Sequence, residues 1–304
     1  MKLVFMGTPA FAVPSLDSLV KAGHQVMAVF TQPDRPKGRG QKDSMPAVKE
    51  AALRLGLPVY QPERVRAPEI VEQLGAMAPE AMVVVGYGQI IPQAILDIPP
   101  KGIINVHGSL LPKYRGAAPL QWAIARGETR TGVTTMKINA GLDTGDMLLR
   151  WETAIGAEET AVELGARLAV AGADLLTDTL ARLDDIAPQP QDNAEASWAP
   201  VIKKEDGRIV WSMAGQEILN RMRGFSPWPG CYGFLRGQRL HIWKGRAMDR
   251  TLPPGELLAE NRRLFAGCGQ GSLELLEVQV EGRKRMQASA FLNGFTLAAQ
   301  EVLQ

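Results

Sequence analysis

The chain of 304 residues has few of the side chains that bind metals or form disulfide bonds. It has two cysteines, Cys231 and Cys268, which do not form a CxxC motif, and three histidines in all. Two isolated thiols argue against a disulfide scaffold and against a structural zinc site. Three histidines argue equally against a histidine-rich metal centre, so we expect no metal.

Long hydrophobic runs are also missing. No stretch of about 18 apolar residues occurs, so the sequence predicts no membrane span. The start of the chain, Met1 to Met6, has the pattern of a short strand and lacks the charged and then apolar regions of a signal peptide. We therefore expect a cytoplasmic protein with reduced cysteines and no membrane partner.

Two glycine motifs that are common in α/β enzymes are incomplete or absent. A dinucleotide site would show GxGxxG after the first strand, but Gly7 is the only glycine there. Residues 86–88 and 38–40 each contain GxG without a third glycine. The GxSxG nucleophile elbow is absent, so we interpret Ser109 as part of a loop and not as a nucleophile.

Apolar segments alternate with helical patterns over the first two thirds of the chain. Strands are predicted at residues 3–6, 25–31, 79–86 and 102–106, and helices at residues 9–22, 45–56 and 158–183. Continuous apolar strands between helices are typical of a doubly wound, mostly parallel sheet. We expect an α/β domain at residues 1–184, followed by a polar linker at residues 185–204.

The pattern changes after this linker. One short helix is predicted at residues 212–223, and short strands such as residues 239–243 and 273–280 are separated by glycine and proline. This predicts a small antiparallel β-barrel domain at residues 205–304. Residues 203–304 carry 15 Lys and Arg against 10 Asp and Glu, whereas residues 1–202 carry 19 against 22. Such a surplus suits a polyanionic partner, but it is also typical of an ordinary solvated surface.

Polar side chains follow the fourth predicted strand at its carboxyl end. Asn105 and His107 are two residues apart, so strand geometry places them on one face. Ligands of open α/β sheets bind at the carboxyl ends of the strands. Asp143 lies between Gly141 and Gly145, and two glycines allow a tight loop that can bring its carboxylate to a histidine.

The segments NVHGSLLPKYRGAAP (residues 105–119) and GLDTGD (residues 141–146) resemble the signature of the folate-dependent formyltransferases. The resemblance implies that a formyl group passes from 10-formyltetrahydrofolate to an amine, with Asn105, His107 and Asp143 as the catalytic residues. An amide and an imidazole N–H can stabilise the oxygen charge that develops during attack. Asp143 can orient the charged imidazole and assist proton movement from the amine.

The same resemblance implies where the folate lies. Residues 86–92, after the valine-rich strand, and the Asp143 loop would hold the pterin through backbone groups and apolar walls. The predicted contacts are Gly86, Tyr87, Gly88, Gln89, Ile90, Ile91, Ser109, Leu110, Leu111 and Pro112. From the residues alone, the favoured interpretation of residues 86–92 is an ordinary turn between a strand and a helix.

Residues 31–42, which we call the basic loop, carry four cations within eight residues. These are Arg35, Lys37, Arg39 and Lys42. Its glycines and prolines predict an irregular conformation. The loop resembles the tRNA-contacting loop of methionyl-tRNA formyltransferases, in which Arg39 matches the arginine that this family relies on. Gln41 stands where some of these enzymes carry a further lysine. Such a loop suits contact with the phosphates of a tRNA acceptor end.

Resemblance to the same branch of the family continues at residues 6–12, 203–209, 225–230 and 282–286. It implies that the C-terminal domain is an oligonucleotide-binding type of barrel, and that the substrate is initiator methionyl-tRNA. Three adjacent cations, Arg283, Lys284 and Arg285, either meet phosphates or form an exposed turn. We expect a monomer and no DNA partner.

Two alternatives stay open at this point. A formyltransferase that acts on a nucleotide-linked amino sugar would also have a C-terminal extension, but it should lack the cations of residues 35–42. A protein of another class would bind tRNA on a catalytically inactive formyltransferase fold. The presence of Asn105, His107 and Asp143 argues against that second alternative.

Overall fold

The computed structural model describes residues 1–37 and 42–304, with side chains given outside residues 36–43. The chain forms two compact units. The first contains residues 1–119, 130–153 and 165–199, and the second contains residues 120–129, 154–164 and 200–304. Each unit is therefore assembled from segments that are separated along the chain.

The first unit is built on a seven-stranded sheet with the order β5-β2-β1-β6-β7-β8-β9, and a separate pair is formed by β3 and β4. Its strands are β1 (Lys2–Gly7), β2 (Gln25–Phe30), β3 (Arg35–Lys37), β4 (Lys42–Ser44), β5 (Val59–Tyr60), β6 (Ala81–Val85), β7 (Ile103–His107), β8 (Arg130–Lys137) and β9 (Met147–Ala154). The strands from β5 to β7 run parallel, and β8 is antiparallel to β7. The prediction of a mostly parallel α/β sheet is confirmed.

Four helices connect strands in this part of the chain. They are α1 (Val13–Lys21), α2 (Ala47–Arg54), α3 (Pro68–Met77) and α4 (Gln93–Leu96). Proline lies in the first helical turn of α1 and of α3. Backbone N–H groups in this turn have no partner within the helix, so the N–H that proline lacks costs no helical hydrogen bond. The core beneath the sheet contains Val4 and Met6 of β1 and Met82 and Val84 of β6, packed with Tyr87.

The chain order of the strands creates a crevice in the sheet. From β1 the chain moves outward to β2, and it later returns to place β6 on the opposite side of β1. Gly7 at the end of β1 pairs with Val85 at the end of β6. The carboxyl ends of β1, β6 and β7 therefore share one edge of the sheet, which is where ligands bind in this architecture.

The second unit contains an antiparallel sheet with the order β10-β11-β14-β13-β12, and β15 pairs with β14. Its strands are β10 (Cys231–Leu235), β11 (Gln238–Met248), β12 (Leu257–Glu260), β13 (Arg263–Gly267), β14 (Ser272–Val280) and β15 (Met286–Gln287). The remaining helices are α5 (Pro119–Ala125), α6 (Ala161–Ala181), which continues into the first unit, α7 (Gly215–Gly224) and α8 (Ala288–Gly294).

The last residues of the chain connect the two edges of this sheet. Phe234 of β10 exchanges two backbone hydrogen bonds with Gln304, at 2.8 and 2.9 Å. On the other side, Leu257 N–H donates to Glu301 O at 2.7 Å, and Leu303 N–H donates to Gly255 O at 2.8 Å. Because both edges pair with one segment, the sheet closes on itself, and the predicted antiparallel barrel is confirmed.

Strand β8 has no counterpart among the predicted strands. Its buried positions include Thr131, Thr134 and Thr135. Thr134 Oγ1 donates to Ser109 O at 2.7 Å, and the hydroxyls of Thr135 and Thr179 are hydrogen-bonded at 2.8 Å. A threonine whose hydroxyl is hydrogen-bonded in this way can fill a core position. The strand therefore lacks the apolar pattern that would predict it. None of the described helices combines the length and the apolar composition needed to cross a membrane.

Candidate active site

Strand β7 carries both polar residues predicted for the site. It lies between β6 and β8, and all five of its residues are buried. Asn105 pairs in register with Val84 on one side and Met136 on the other. The side chains of Asn105 and His107 are 8% and 6% exposed. Their rigid strand limits how far these two side chains can move.

His107 faces an oxygen atom at each ring nitrogen. Its Nε2 lies 2.9 Å from the carbonyl oxygen of Tyr114, and its Nδ1 lies 3.6 Å from Oδ2 of Asp143. Because a carbonyl oxygen can only accept, Nε2 carries the hydrogen in the first contact. Nδ1 is then the nitrogen that can exchange a proton beside a carboxylate.

Asp143 has an unusual backbone conformation for a residue with a side chain, because its φ is +51°. Its Oδ2 accepts a hydrogen bond of 2.8 Å from the backbone N–H of Gly116. The same oxygen faces His107. The structure thus brings together His107 and Asp143, which the sequence predicts as catalytic residues.

The Asp143 loop, residues 141–145, is fixed by contacts at both ends. Asn139 Oδ1 accepts from the N–H of Gly141 at 3.0 Å and from Thr144 Oγ1 at 2.8 Å. A Cβ on Gly145 would lie only 1.8 Å from the carbonyl oxygen of Lys137. A side chain at this position would therefore force the loop away from β8.

Two residues that the sequence analysis did not select support this loop. Gln191 Nε2 donates to the carbonyl oxygens of Asp143 and Gly145, at 2.8 and 2.7 Å. Arg115 Nε donates to Gln191 Oε1 at 2.9 Å. Arg115 lies inside the signature at residues 105–119, but nothing in the local sequence distinguishes it from a surface arginine. Gln191 lies in the polar segment predicted as a linker, where glutamine is ordinary.

The segment after β7 is stabilised by hydrogen bonds within the segment and with β8. Ser109 Oγ donates to Lys113 O at 2.6 Å, and Leu111 N–H donates to Thr134 Oγ1 at 3.2 Å. Ser109 and Leu111 are fully buried, whereas Leu110 and Pro112 are partly accessible. The contacts of Ser109 fit the loop-forming role inferred for it.

The predicted folate segment follows β6 at the same sheet edge. Tyr87 is 1% exposed and packs in the core, and its burial raises the pKa of its hydroxyl to about 12. Ile91 belongs to the same core, and the amide of Gln89 bonds to Val65 N–H and Pro62 O at 2.7 and 3.1 Å. Of the six predicted residues, Gly86, Gly88 and Ile90 are the exposed ones.

The irregular conformation predicted for the basic loop is wrong for its described ends, because β3 (Arg35–Lys37) and β4 (Lys42–Ser44) form a two-stranded antiparallel pair. Arg35 pairs with Ser44, and Lys37 pairs with Lys42. Pairing between the two strands satisfies the hydrogen-bonding groups of their backbones. The glycines and prolines of the sequence give no sign of this pairing. Arg35 is exposed, whereas Arg39 lies outside the described residues.

A polar network fixes the start of the basic loop. Asp34 accepts from Lys49 Nζ at 2.5 Å and from Gln61 Nε2 at 2.8 Å. These hydrogen bonds, from Lys49 first, hold the pKa of Asp34 below its usual value. Gln61 also donates to Gln32 O at 2.9 Å, and Gln32 Nε2 donates to Tyr87 O at 3.1 Å. The basic loop and the predicted folate segment are therefore connected by side chains.

The predicted C-terminal cations form one exposed turn between β14 and β15. Arg283, Lys284 and Arg285 are all exposed. Arg285 forms an ion pair with Glu277 and lies over the Trp243 ring at 5.4 Å. Within the described residues, no three His, Cys, Asp or Glu side chains come together as metal ligands.

Comparison with known proteins identifies the family. Residues 1–180 match the family described as formyl transferase, and residues 201–296 match the formyl transferase C-terminal domain. The chain belongs to the formyl transferase family. The family predicted from the sequence is thereby confirmed.

Relatives within the formyl transferase family align along the whole chain. The methionyl-tRNA formyltransferase of Solibacter usitatus is 61% identical, with 100% of this chain and 98% of the relative aligned. That of Koribacter versatilis is 58% identical, with 97% and 96% aligned. A third, from Citrifermentans bemidjiense, is 50% identical, with 98% and 94% aligned.

Solved structures share the formyl transferase fold at lower identity. An N-formyltransferase from Helicobacter canadensis, in complex with folinic acid and dTDP-3-aminofucose, has a TM-score of 0.66 and 20% identity, with 90% of this chain and 98% of that chain covered. HypX from Aquifex aeolicus, in complex with tetrahydrofolic acid, has a TM-score of 0.63 and 17% identity, covering 96% and 47%. At these identities the likeness concerns the fold.

Proposed function

We propose that this formyl transferase moves the formyl group of 10-formyltetrahydrofolate to the α-amino group of methionine carried by initiator tRNA. The single observation that carries the proposal is the pairing of His107 with Asp143 at 3.6 Å, at the carboxyl edge of a formyl transferase sheet. Full-length relatives with 50–61% identity are methionyl-tRNA formyltransferases, which favours tRNA over an amino sugar as the acceptor.

A folate co-substrate fits this sheet edge. Solved relatives of the fold hold tetrahydrofolic acid and folinic acid. In this chain, Gly86 and Gly88 present exposed backbone, and Ile90 and Leu142 are 86% and 59% exposed. Two apolar side chains and open backbone groups suit a flat pterin. The predicted contacts Tyr87 and Ile91 would support the pocket from the core beneath it, with Gln89 beside them. The predicted contacts at residues 109–112 would support it from the segment after β7.

The three polar residues divide the chemistry between them. Asn105 donates its amide hydrogen to the formyl oxygen, where negative charge develops as the amine attacks. His107 accepts, at Nδ1, the proton that the attacking nitrogen loses, because its Nε2–H is already donated to Tyr114 O. The Nδ1–H formed in this way is a second donor for the formyl oxygen. Asp143 balances that positive charge. His107 then returns the proton to the folate nitrogen as the bond between this nitrogen and the formyl carbon breaks.

Basic side chains would hold the tRNA. We propose that Arg35, Lys37, Arg39 and Lys42 contact phosphates of the acceptor end, with further contacts from residues 283–285. We assign catalysis to a domain at residues 1–184, a linker to residues 185–204 and tRNA binding to a barrel domain at residues 205–304. The protein would work as a cytoplasmic monomer, without DNA or a metal.

The test measures formyl transfer from 10-formyltetrahydrofolate to three acceptors: methionyl initiator tRNA, free methionine and a nucleotide-linked amino sugar. We expect transfer to the tRNA alone. Arg39→Ala should raise KM for the tRNA and reduce the slope of log affinity against log salt by about 0.7–0.9, the value of one phosphate contact. Arg66→Ala, at an exposed arginine outside the basic loop, is the matched control. Transfer to the sugar, or to no acceptor, would contradict the proposal.

A second experiment separates the enzyme from an inactive tRNA-binding protein. His107→Ala should abolish transfer while affinity for methionyl-tRNA stays within about threefold, because the side chain acts on the reacting atoms. Unchanged transfer in this variant would remove His107 from the mechanism.

A further inference from the structure

The polar segment after α6 lies against both catalytic segments of the first unit. We call residues 189–199 the clasp segment. Gln189 exchanges two backbone hydrogen bonds of 2.8 Å with Met147. Arg115 donates its N–H to Ser197 O at 2.8 Å and accepts at its carbonyl from Ala199 N–H at 2.7 Å. The segment thereby pairs with the chain on each side of the site.

One side chain of the clasp segment reaches the catalytic loop. The amide nitrogen of Gln191 has two hydrogens, and it donates to the carbonyl oxygens of Asp143 and Gly145 at 2.8 and 2.7 Å. Its amide oxygen accepts from Arg115 Nε at 2.9 Å. The amide can therefore rotate in neither direction without losing hydrogen bonds.

Asp143 needs such support because of its conformation. A φ of +51° is uncommon for a residue with a side chain, and such conformations persist where surrounding contacts hold them. Gln191 holds the carbonyl of this residue, and Gly116 N–H holds its carboxylate at 2.8 Å. Together these contacts fix the distance between Asp143 and His107.

We propose that Gln191, oriented by Arg115, is a positioning residue for the reaction. It holds the backbone of the Asp143 loop so that the carboxylate faces His107. The inference rests on the proposed function, since it takes Asp143 as a catalytic residue.

Burial of Arg115 is consistent with this role. Arg115 is 3% exposed, and its Nη2 is buried without a hydrogen-bond partner within the described part of the chain. A buried cation that keeps an unpaired N–H is unfavourable for stability alone. This guanidinium orients Gln191. An apolar residue at the same position would be more favourable for stability, but it could not perform this function.

The experiment compares Gln191→Leu and Gln191→Glu with Gln189→Leu. Leucine removes all three hydrogen bonds, whereas glutamate keeps an acceptor for Arg115 and removes both donors to the loop. Gln189 is an exposed glutamine of the same segment and is the matched control. Both Gln191 variants should lower kcat by roughly 10- to 100-fold, the effect of misplacing a catalytic group by about 1 Å. KM for methionyl-tRNA should stay within about threefold, and Gln189→Leu should leave kcat unchanged.

A double-mutant cycle tests whether Gln191 acts through Asp143. In an Asp143→Asn background, Gln191→Leu should cause little further loss, because the carboxylate that it positions is gone. An equal loss in both backgrounds would overturn the proposal, since a general structural role gives additive effects. Equal kcat values for Gln191→Leu and Gln189→Leu would also overturn it.

Hydrogen exchange at Gly116 gives a readout that needs no activity. Its amide donates to the Asp143 carboxylate, so its exchange reports the position of that side chain. In protein labelled with ¹⁵N-glycine, this exchange should accelerate at least about tenfold in Gln191→Leu and remain unchanged in Gln189→Leu. If the wild-type chain transferred no formyl group, the proposed function would fail, and exchange at Gly116 would still decide whether Gln191 positions Asp143. Unchanged exchange would contradict the positioning role.

Discussion

Replacement of Asp143 by asparagine removes a charge from the site and leaves its shape almost unchanged. Asparagine has the same size, and its amide oxygen can still accept from Gly116 N–H, which donates to Asp143 at 2.8 Å. The variant should therefore fold and keep the loop in place. What it loses is the attraction between a carboxylate and a charged imidazole on His107.

The size of this loss follows from the distance between the groups. At 3.6 Å, two unit charges attract by about 4–5 kcal/mol when the effective dielectric constant is about 20. At about 1.36 kcal/mol for each factor of ten, this corresponds to about three orders of magnitude in rate. Because Asp143 is 16% exposed, solvent screens part of this attraction. We expect kcat to fall about 100- to 1,000-fold.

The assay is single-turnover transfer of labelled formyl from 10-formyltetrahydrofolate to methionyl-tRNA. Asp146→Asn is the matched control, because it makes the same charge change three residues away at an exposed position. The control should retain at least about half of wild-type kcat, and both variants should unfold at wild-type temperature. A catalytic role for the Asp143 charge would be refuted if Asp143→Asn retained a third of wild-type kcat, or if Asp146→Asn lost as much kcat as Asp143→Asn.

Three further predictions concern the fold around the site and the barrel. Gly116→Ala should lower the melting temperature by roughly 5 °C or more, because φ is +117° and a Cβ would lie 2.6 Å from a backbone oxygen; an unchanged melting temperature would contradict the geometry. Leu303→Ala should destabilise the protein by about 2–4 kcal/mol in denaturant unfolding, since this side chain is 1% exposed. Val302→Ala, at a neighbour that is 46% exposed, should cost less than about 1 kcal/mol, and equal costs would argue against barrel closure. Hydrogen bonds from Arg263 hold the pKa of Glu274 below its usual 4.5, so wild type should be more stable than Glu274→Gln at pH 7. That difference should shrink in thermal unfolding as pH falls below 4.5 through the lowered pKa, and a difference that persisted there would refute the ion pair as its source.

Local patterns in the sequence predicted the central parallel strands of the first unit, β1, β2, β6 and β7. Continuous apolar strands such as residues 81–85 are visible because burial on both faces excludes polar side chains. Strand β8 was hidden because two of its buried positions are hydrogen-bonded threonines instead of apolar residues. The pairing of β3 with β4 was hidden because it depends on backbone geometry and not on side-chain pattern.

The sequence by itself determined the family, the two types of sheet and the three polar residues proposed for catalysis. The sheet types follow from local apolar patterns, whereas the family and the three polar residues follow from the resemblance carried by residues 105–119 and 141–146. Only the tertiary structure decided that the carboxylate of Asp143 meets Gly116 and His107, and that Gln191 holds the loop from 48 residues away. A glutamine in a polar segment has no local pattern that reveals such a partner. Gln191 acquires its specific contacts only when folding brings it to the Asp143 loop, where the buried Arg115 orients its amide.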